Sequence, residues 1–150
     1  MAVTATNKFK YDLIKGVVGD LSAGTADLRM GLLKTLAAHT NVPDLDTVAA
    51  MEAHADFAEV TGAAGYARVA LTGEAVTEDD SGTNDWALFD CDDVAFGALG
   101  TGATIVGFFV YKYNAADASA NLYLIGDLTS TPTNGGTVTI TTASGLIRVT

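Results

Sequence analysis

The chain is expected to be mainly β: a β-sandwich or flattened barrel of about seven to eight short strands, with one helix near its N-terminal end. Three observations carry that expectation. Residues 104–113 are apolar on both faces through Ile105, Val106, Phe108, Phe109, Val110 and Tyr111, the pattern of a strand buried in the middle of a packed sheet. Residues 136–141 alternate cleanly, with Val138 and Ile140 set between threonines, and so present two faces of opposite character. Glycine and threonine are abundant while proline occurs only twice, which suits many short strands joined by tight turns.

Taken in order, residues 1–7 are small, threonine-rich and without periodicity, and read as an extended arm. Residues 8–150 read as a single domain. It opens with a helix in which Phe9, Leu13, Ile14 and Val17 share one face, Asn7 is the N-cap, and Gly16 and Gly19 end the helix near Asp20. A turn-like linker follows. A first strand spans 27–36, with Leu28, Met30 and Leu32 on one face and Arg29 and Gly31 on the other. Asn41-Val42-Pro43 breaks the pattern, and 46–52 favours a short helix capped by Asp46. Strands at 67–71 and 74–78 are separated by Thr72-Gly73, a hairpin-length connection. Strands at 86–90 and 94–96 flank a kink at 91–93. Residues 122–128, 136–141 and 146–150 complete the set, with a turn at 132–135.

A chain of 150 residues is long enough to bury about 68–70% of the surface its unfolded form would expose. Cys91 is the only cysteine, so no intramolecular disulfide forms. Eight basic against eighteen acidic side chains give a net charge of −10. That balance disfavours nucleic acid and anionic membranes as partners, because both require clustered Lys or Arg. No basic start followed by an apolar run suggests a signal peptide, and the run 105–111 is too short to span a bilayer. Synthesis in a cytoplasm is the expectation.

Little in the chain points to catalysis. His39 and His54 are the only imidazoles, His54-Ala55-Asp56 is too compact for a base and its orienting carboxylate, and no Gly-x-Ser-x-Gly elbow occurs. Cys91 lies among acidic neighbours, which disfavour its thiolate. One cysteine and two histidines lack zinc-ligand spacing. The glycine-rich run 97–102 lacks the Lys-Ser or Lys-Thr of a phosphate loop and leads into a strand. The acidic loop from Glu78 to Asp85, with Asp90, Asp92 and Asp93 close in sequence, offers hard oxygens to calcium but lacks EF-hand spacing, and a solvated loop is the better reading. Tyr66, Trp86, Tyr111, Tyr113 and Tyr123 are a candidate sugar platform, although aromatics in alternating strands more often pack. No catalytic residue, no metal and no cofactor is therefore expected.

One segment is distinctive. Thr61-Gly62-Ala63-Ala64-Gly65-Tyr66 forms a Gly-x-x-Gly-Tyr turn, followed by a short strand, Thr72-Gly73, and Asp92-Asp93-Val94-Ala95-Phe96. This pattern resembles a family of small virion structural proteins from tailed bacteriophages, and the likeness extends over most of the chain. The resemblance implies a non-enzymatic subunit, foremost a capsid decoration (cement) protein on the outer surface of the phage head. Its partners would be the major capsid protein and further copies of itself, a trimer among the options. The candidate capsid-facing residues are then Thr4, Thr6, Phe9 and Tyr11, and the candidate subunit-contact residues Tyr66, Asp79 and Asp80. Two alternatives stand beside it: a tail or head–tail component using residues 38–51 as a stacking arm, and a receptor- or glycan-binding module using exposed aromatics.

Overall fold

A computed structural model describes residues 3–21, 27–37, 39–79, 86–142 and 145–149. The chain is mainly β, with an N-terminal helix and strands arranged in three sheets. The strands are β1 (Val3–Ala5), β2 (Leu28–Leu36), β3 (Phe57–Glu59), β4 (Val69–Ala70), β5 (Ala75–Asp79), β6 (Trp86–Asp90), β7 (Val94–Ala98), β8 (Thr104–Lys112), β9 (Asn121–Pro132), β10 (Thr137–Ile140) and β11 (Ile147–Val149). Helix α1 is Asn7–Ile14, a 3-10 helix covers His39–Asp44, and α2 is Val48–Ala53. The strands exceed the expected number, and two of those not anticipated, β1 and β3, are three residues each and too short to show a period.

The largest sheet has the order β1-β9-β8-β2-β3, and β4 pairs with β2 beside Arg29 and Met30. The doubly apolar strand β8 sits near its middle, as its composition requires. On one face the two smaller sheets, β10-β7 and β11-β6-β5, bring Phe89, Val94, Phe96 and Ile140 against Met30, Leu32, Phe108, Val110 and Leu124. On the other face the 3-10 helix and α2 bring Val42, Leu45, Val48 and Met51 against Leu33, Phe109, Leu122 and Ile125. The result is a sandwich with a helical cover on its outer face.

One expected connection is corrected. The strands either side of Thr72-Gly73 do not form a hairpin: β4 pairs with β2, whereas β5 pairs with β6. The turn instead carries the chain from one layer to the other. Gly73 has φ +63, and a Cβ there would lie 2.5 Å from the Asp92 carboxylate. The kink at 91–93 likewise separates β6 from β7, which belong to different sheets. The arm predicted for 1–7 is extended at Val3–Ala5, but it is paired antiparallel with β9, Thr4 opposite Ile125.

Irregularities in register distribute side chains between the two cores. Along β9, Tyr123 is skipped between the pairs Tyr111–Leu122 and Val110–Leu124. This bulge turns Leu122 toward the helical cover and Leu124 toward the sandwich interior, although their spacing alone would place both on one face. Lys34 is similarly skipped between Leu33–Glu59 and Thr35–Ala58. At the centre, consecutive Phe108 and Phe109 point to opposite faces, and each lies across a glycine on a neighbouring strand. Phe109 opposes Gly31 and Phe108 opposes Gly126. A Cβ at either glycine would lie 2.3 Å from the facing ring.

Gly31→Ala and Gly126→Ala are each expected to destabilise the fold by about 1–3 kcal/mol through overpacking of a closed core. Urea titration followed by circular dichroism measures this. The Gly31→Ala cost should shrink in a Phe109→Leu background, since the two positions share one contact.

Candidate functional site

Helix α1 starts from Thr6, not Asn7. The Thr6 hydroxyl accepts from the Phe9 N–H at 3.1 Å and donates to the Leu122 carbonyl at 2.6 Å, so one buried side chain caps the helix and fastens it to β9. The helix ends at Ile14, earlier than expected, in a Schellman motif: Gly16 has φ +67, its N–H donates to the Leu13 carbonyl, and the Val17 N–H donates to the Asp12 carbonyl. The buried face comprises Phe9 and Asp12 rather than Phe9, Leu13, Ile14 and Val17. Asp12 is fully buried because it finds three donors: Lys8 Nζ at 2.5 Å, Asn121 Nδ2 at 2.9 Å and the Tyr123 hydroxyl at 3.1 Å. Burial, together with the Asp12 charge, pushes the Tyr123 phenol well above its ordinary range.

This docking mode leaves apolar groups outside. Tyr11, Leu13, Ile14 and Val17 are exposed, Ile14 at 87%. Lys8 and Lys15 lie over the Tyr11 ring. With Lys10, the helical segment carries three of the eight basic side chains of a strongly acidic chain. Of the four residues expected to face a capsid, Thr6 and Phe9 are buried, Thr4 is half-buried, and Tyr11 is exposed at 55%.

Tyr66 is also occupied within the chain. Its ring stacks on Phe96 at 6.2 Å, and its hydroxyl donates to Glu59 at 2.6 Å and accepts from the Leu32 N–H at 3.0 Å. It therefore fixes the Gly-x-x-Gly-Tyr turn to β2 and β3. Asp79 is the last residue of β5, its backbone opposite Trp86. Asp80, and with it most of the acidic loop weighed for calcium, lies outside the described residues.

The sequence reading missed the network built on Arg68. Its guanidinium donates to Glu59 at 2.7 and 2.6 Å, to Glu52 at 2.8 Å and to Asp117, and it lies over the Phe109 and Tyr111 rings at 5.3 and 5.2 Å. These groups come from four separate stretches of chain, and no local motif joins them. One cation serves three carboxylates, and Glu52 responds. Burial first, then the neighbouring Glu59 and Asp117, raise its carboxyl above the ordinary carboxylate range.

His39 forms a second missed arrangement. Its Nε2 lies 2.6 Å from Asp127 Oδ1 and its Nδ1 2.7 Å from the Thr4 hydroxyl. A carboxylate only accepts, so in the neutral ring Nε2–H donates to Asp127 and Nδ1 accepts from Thr4. The order hydroxyl, imidazole, carboxylate is that of a hydrolytic triad. A triad works together with N–H donors aimed at the substrate's oxyanion, whereas Thr4 sits in the middle of the paired edge strand β1, opposite Ile125. The array ties the edge strand β1 to the 3-10 helix and β9. His54 Nδ1 accepts from the Asp56 N–H at 3.3 Å while the Asp56 carboxylate accepts from Asn41 at 2.8 Å, a local turn arrangement.

The remaining candidates are engaged locally. Asp90 accepts from the Cys91 N–H, Asp92 from the Thr72 hydroxyl and Asp93 from the Thr142 N–H. Among the described residues no group of three or more Asp, Glu, His or Cys side chains is placed to hold a metal ion. Tyr111 and Tyr123 are buried, Tyr113 is covered on one side by the Arg29 guanidinium at 3.5 Å, and no common aromatic platform forms from them. No described helix is long and apolar enough to cross a membrane. The chain was compared with protein-family models, with curated proteins and with solved structures, and none of the three comparisons gave a match.

Two expectations follow. Burial, followed by the charges of Asp90, Glu74 and Asp92, pushes the Cys91 thiol up to about 11. Iodoacetamide should therefore modify the native protein slowly at pH 8, with a rate that climbs only as the pH nears 11. For Glu52, a folded-state pKa raised above the unfolded value means that the native state holds the proton more tightly, so its contribution to stability falls as pH rises through that range. Glu52→Gln removes this dependence. Thermal melts should show its stability relative to the parent rising as the pH is raised above the ordinary carboxylate value of 4.5.

Proposed function

We propose that this chain is a non-enzymatic structural subunit of a tailed-phage particle, and that it acts as a decoration protein attached to the outside of the assembled head through the exposed face of α1. The observation that carries the proposal is the exposure of Tyr11, Leu13 and Ile14 on α1 and of Val17 just beyond it, with Lys8, Lys10 and Lys15 in the same segment. Apolar side chains rigidly presented on a helix are suited to burial against a partner. The local lysines favour an acidic rim on that partner, while the acidic remainder of the molecule disfavours self-association along other faces. Asp12 and Thr6 hold the helix from beneath, so this segment needs little ordering on binding. Several copies bridging neighbouring capsid subunits would convert a modest contact into firm attachment, and binding only the assembled shell would stabilise it by mass action.

The resemblance of the Gly62 to Gly65 turn and of the 92–96 segment to small phage structural proteins supports the same class. The tail reading gains nothing from residues 39–51. They fold as the 3-10 helix and α2, with Val42, Leu45, Val48 and Met51 buried against the sheet, rather than as a free stacking arm.

Sedimentation of purified protein with expanded shells that lack it tests the proposal. Saturable co-pelleting in simple ratio to the major capsid subunit is expected, and Ile14→Asp should weaken it by at least about tenfold without lowering Tm. Val76→Asp, at an exposed apolar position on β5, should bind as the parent does. Binding to tails alone, or undiminished binding by Ile14→Asp, would overturn the assignment.

A further inference from the structure

The tripeptide Thr-Gly-Ala occurs at 61–63 and again at 101–103. The fold brings the two copies to the same place, where with Lys34, Thr35 and Thr104 they line one groove of about 470 Å³. That volume lies within the range of small-molecule sites, but the lining here is mostly hydroxyls, glycine backbone and a single ammonium, with Ala63 and Ala103 the only apolar side chains among the described lining residues. Among the described residues no carboxylate lines the groove, in a chain with eighteen acidic side chains.

The donors in this groove are uncommitted. Lys8, Arg29, Arg68 and Lys112 are engaged by carboxylates or carbonyls. Lys34 has no ion-pair or hydrogen-bond partner among the described residues, and the bulge that skips it in the pairing of β2 with β3 sets it apart from the ladder. The backbone N–H groups of Thr61, Gly62, Thr101 and Gly102 likewise donate to no described residue. Gly62 and Gly102 have φ of +84 and +102, and a Cβ at either would meet only open space. Successive free N–H groups in a turn are the material of anion-binding concavities.

The walls are also set in advance. Gly65 packs so closely on the Ala98 carbonyl that a Cβ would lie 2.3 Å from its oxygen. The Gly100 N–H donates to the Ala64 carbonyl at 2.8 Å. On the far side, Ala103 exchanges hydrogen bonds with Thr133, whose N–H donates to the Ala103 carbonyl at 2.9 Å and whose hydroxyl accepts from the Ala103 N–H at 3.1 Å. A groove fixed in this way binds without first ordering its own loops.

We propose that the groove between the two Thr-Gly-Ala turns binds an oxyanion, carboxylate or phosphate, carried on a polyhydroxylated ligand of the acidic-saccharide class. Lys34 and the turn N–H groups, which only donate, face the charged oxygens. The hydroxyls of Thr35, Thr61, Thr101 and Thr104, which both donate and accept, match the hydroxyls of the carrier. The inference is independent of shell attachment, because the groove and the exposed α1 segment share no residue.

Amide chemical-shift titration of the full chain tests it, with glucuronate, glucose, acetate and inorganic phosphate as separate probes at constant ionic strength. Glucuronate is expected to shift the amides of residues 61–62 and 101–102 saturably, at least about tenfold more tightly than any of the other three. Lys34→Gln should weaken that binding by at least tenfold at unchanged Tm, Thr61→Val should weaken it several-fold, and Ile14→Asp should leave it intact. Equal binding of acetate or phosphate alone would mean an adventitious ion only and would overturn the proposal. So would equal binding of glucose, undiminished binding by Lys34→Gln, or saturable shifts confined to other residues.

Discussion

At the middle of the largest sheet, two consecutive phenylalanines face opposite ways, and each needs a gap on the strand beside it. Gly31 and Gly126 provide those gaps. A ring laid across a cross-strand glycine fills space that no Cβ occupies and fixes the pairing register, because a shift of one residue would drive it into a side chain. With β8 locked in this way to β2 on one side and β9 on the other, two separate cores can form on the two faces. The sandwich interior grows around Phe108 and the helical cover around Phe109. The bulges at Tyr123 and Lys34 then correct the period where one strand must serve both.

Polar joints couple distant pieces of chain to this framework. Asp12 and Thr6 bind α1 to β9, His39 joins β1 to β9, Arg68 gathers Glu52, Glu59 and Asp117 over two aromatic rings, and Tyr66 anchors its turn to β2 and β3. Each places charged or polar groups where burial would be costly without a partner, and in each the partners are present. No buried side-chain polar atom is left unpaired among the described residues. Such joints specify one arrangement of surface elements as much as they add stability.

Two surfaces emerge from that arrangement. The α1 surface is apolar and locally basic because the helix buries a carboxylate and turns Ile14 outward. The groove at the Thr-Gly-Ala turns is polar and rigid because glycines let two loops meet closely. Both stand out against an acidic molecule, and they draw on different physics: burial of apolar area in one, directed donors in the other.

The sequence by itself determined the β class, the central position of β8, the strands at 28–36, 121–132 and 137–140 within a residue or a few, and the two short helices. In each case the information is local, carried by apolar period, turn residues and caps. Even there it erred by one residue at both caps, since Thr6 and Thr47 rather than Asn7 and Asp46 accept the first free N–H groups. Only the tertiary structure decided which strands pair across Thr72-Gly73, that residues 3–5 join a sheet edge, and that Phe9 faces inward while Ile14 faces out. It alone assembled the Arg68 network and the groove, whose members lie tens of residues apart. The physical reason is that burial and hydrogen bonding reward proximity in space, which a linear pattern records only when the partners are also neighbours along the chain.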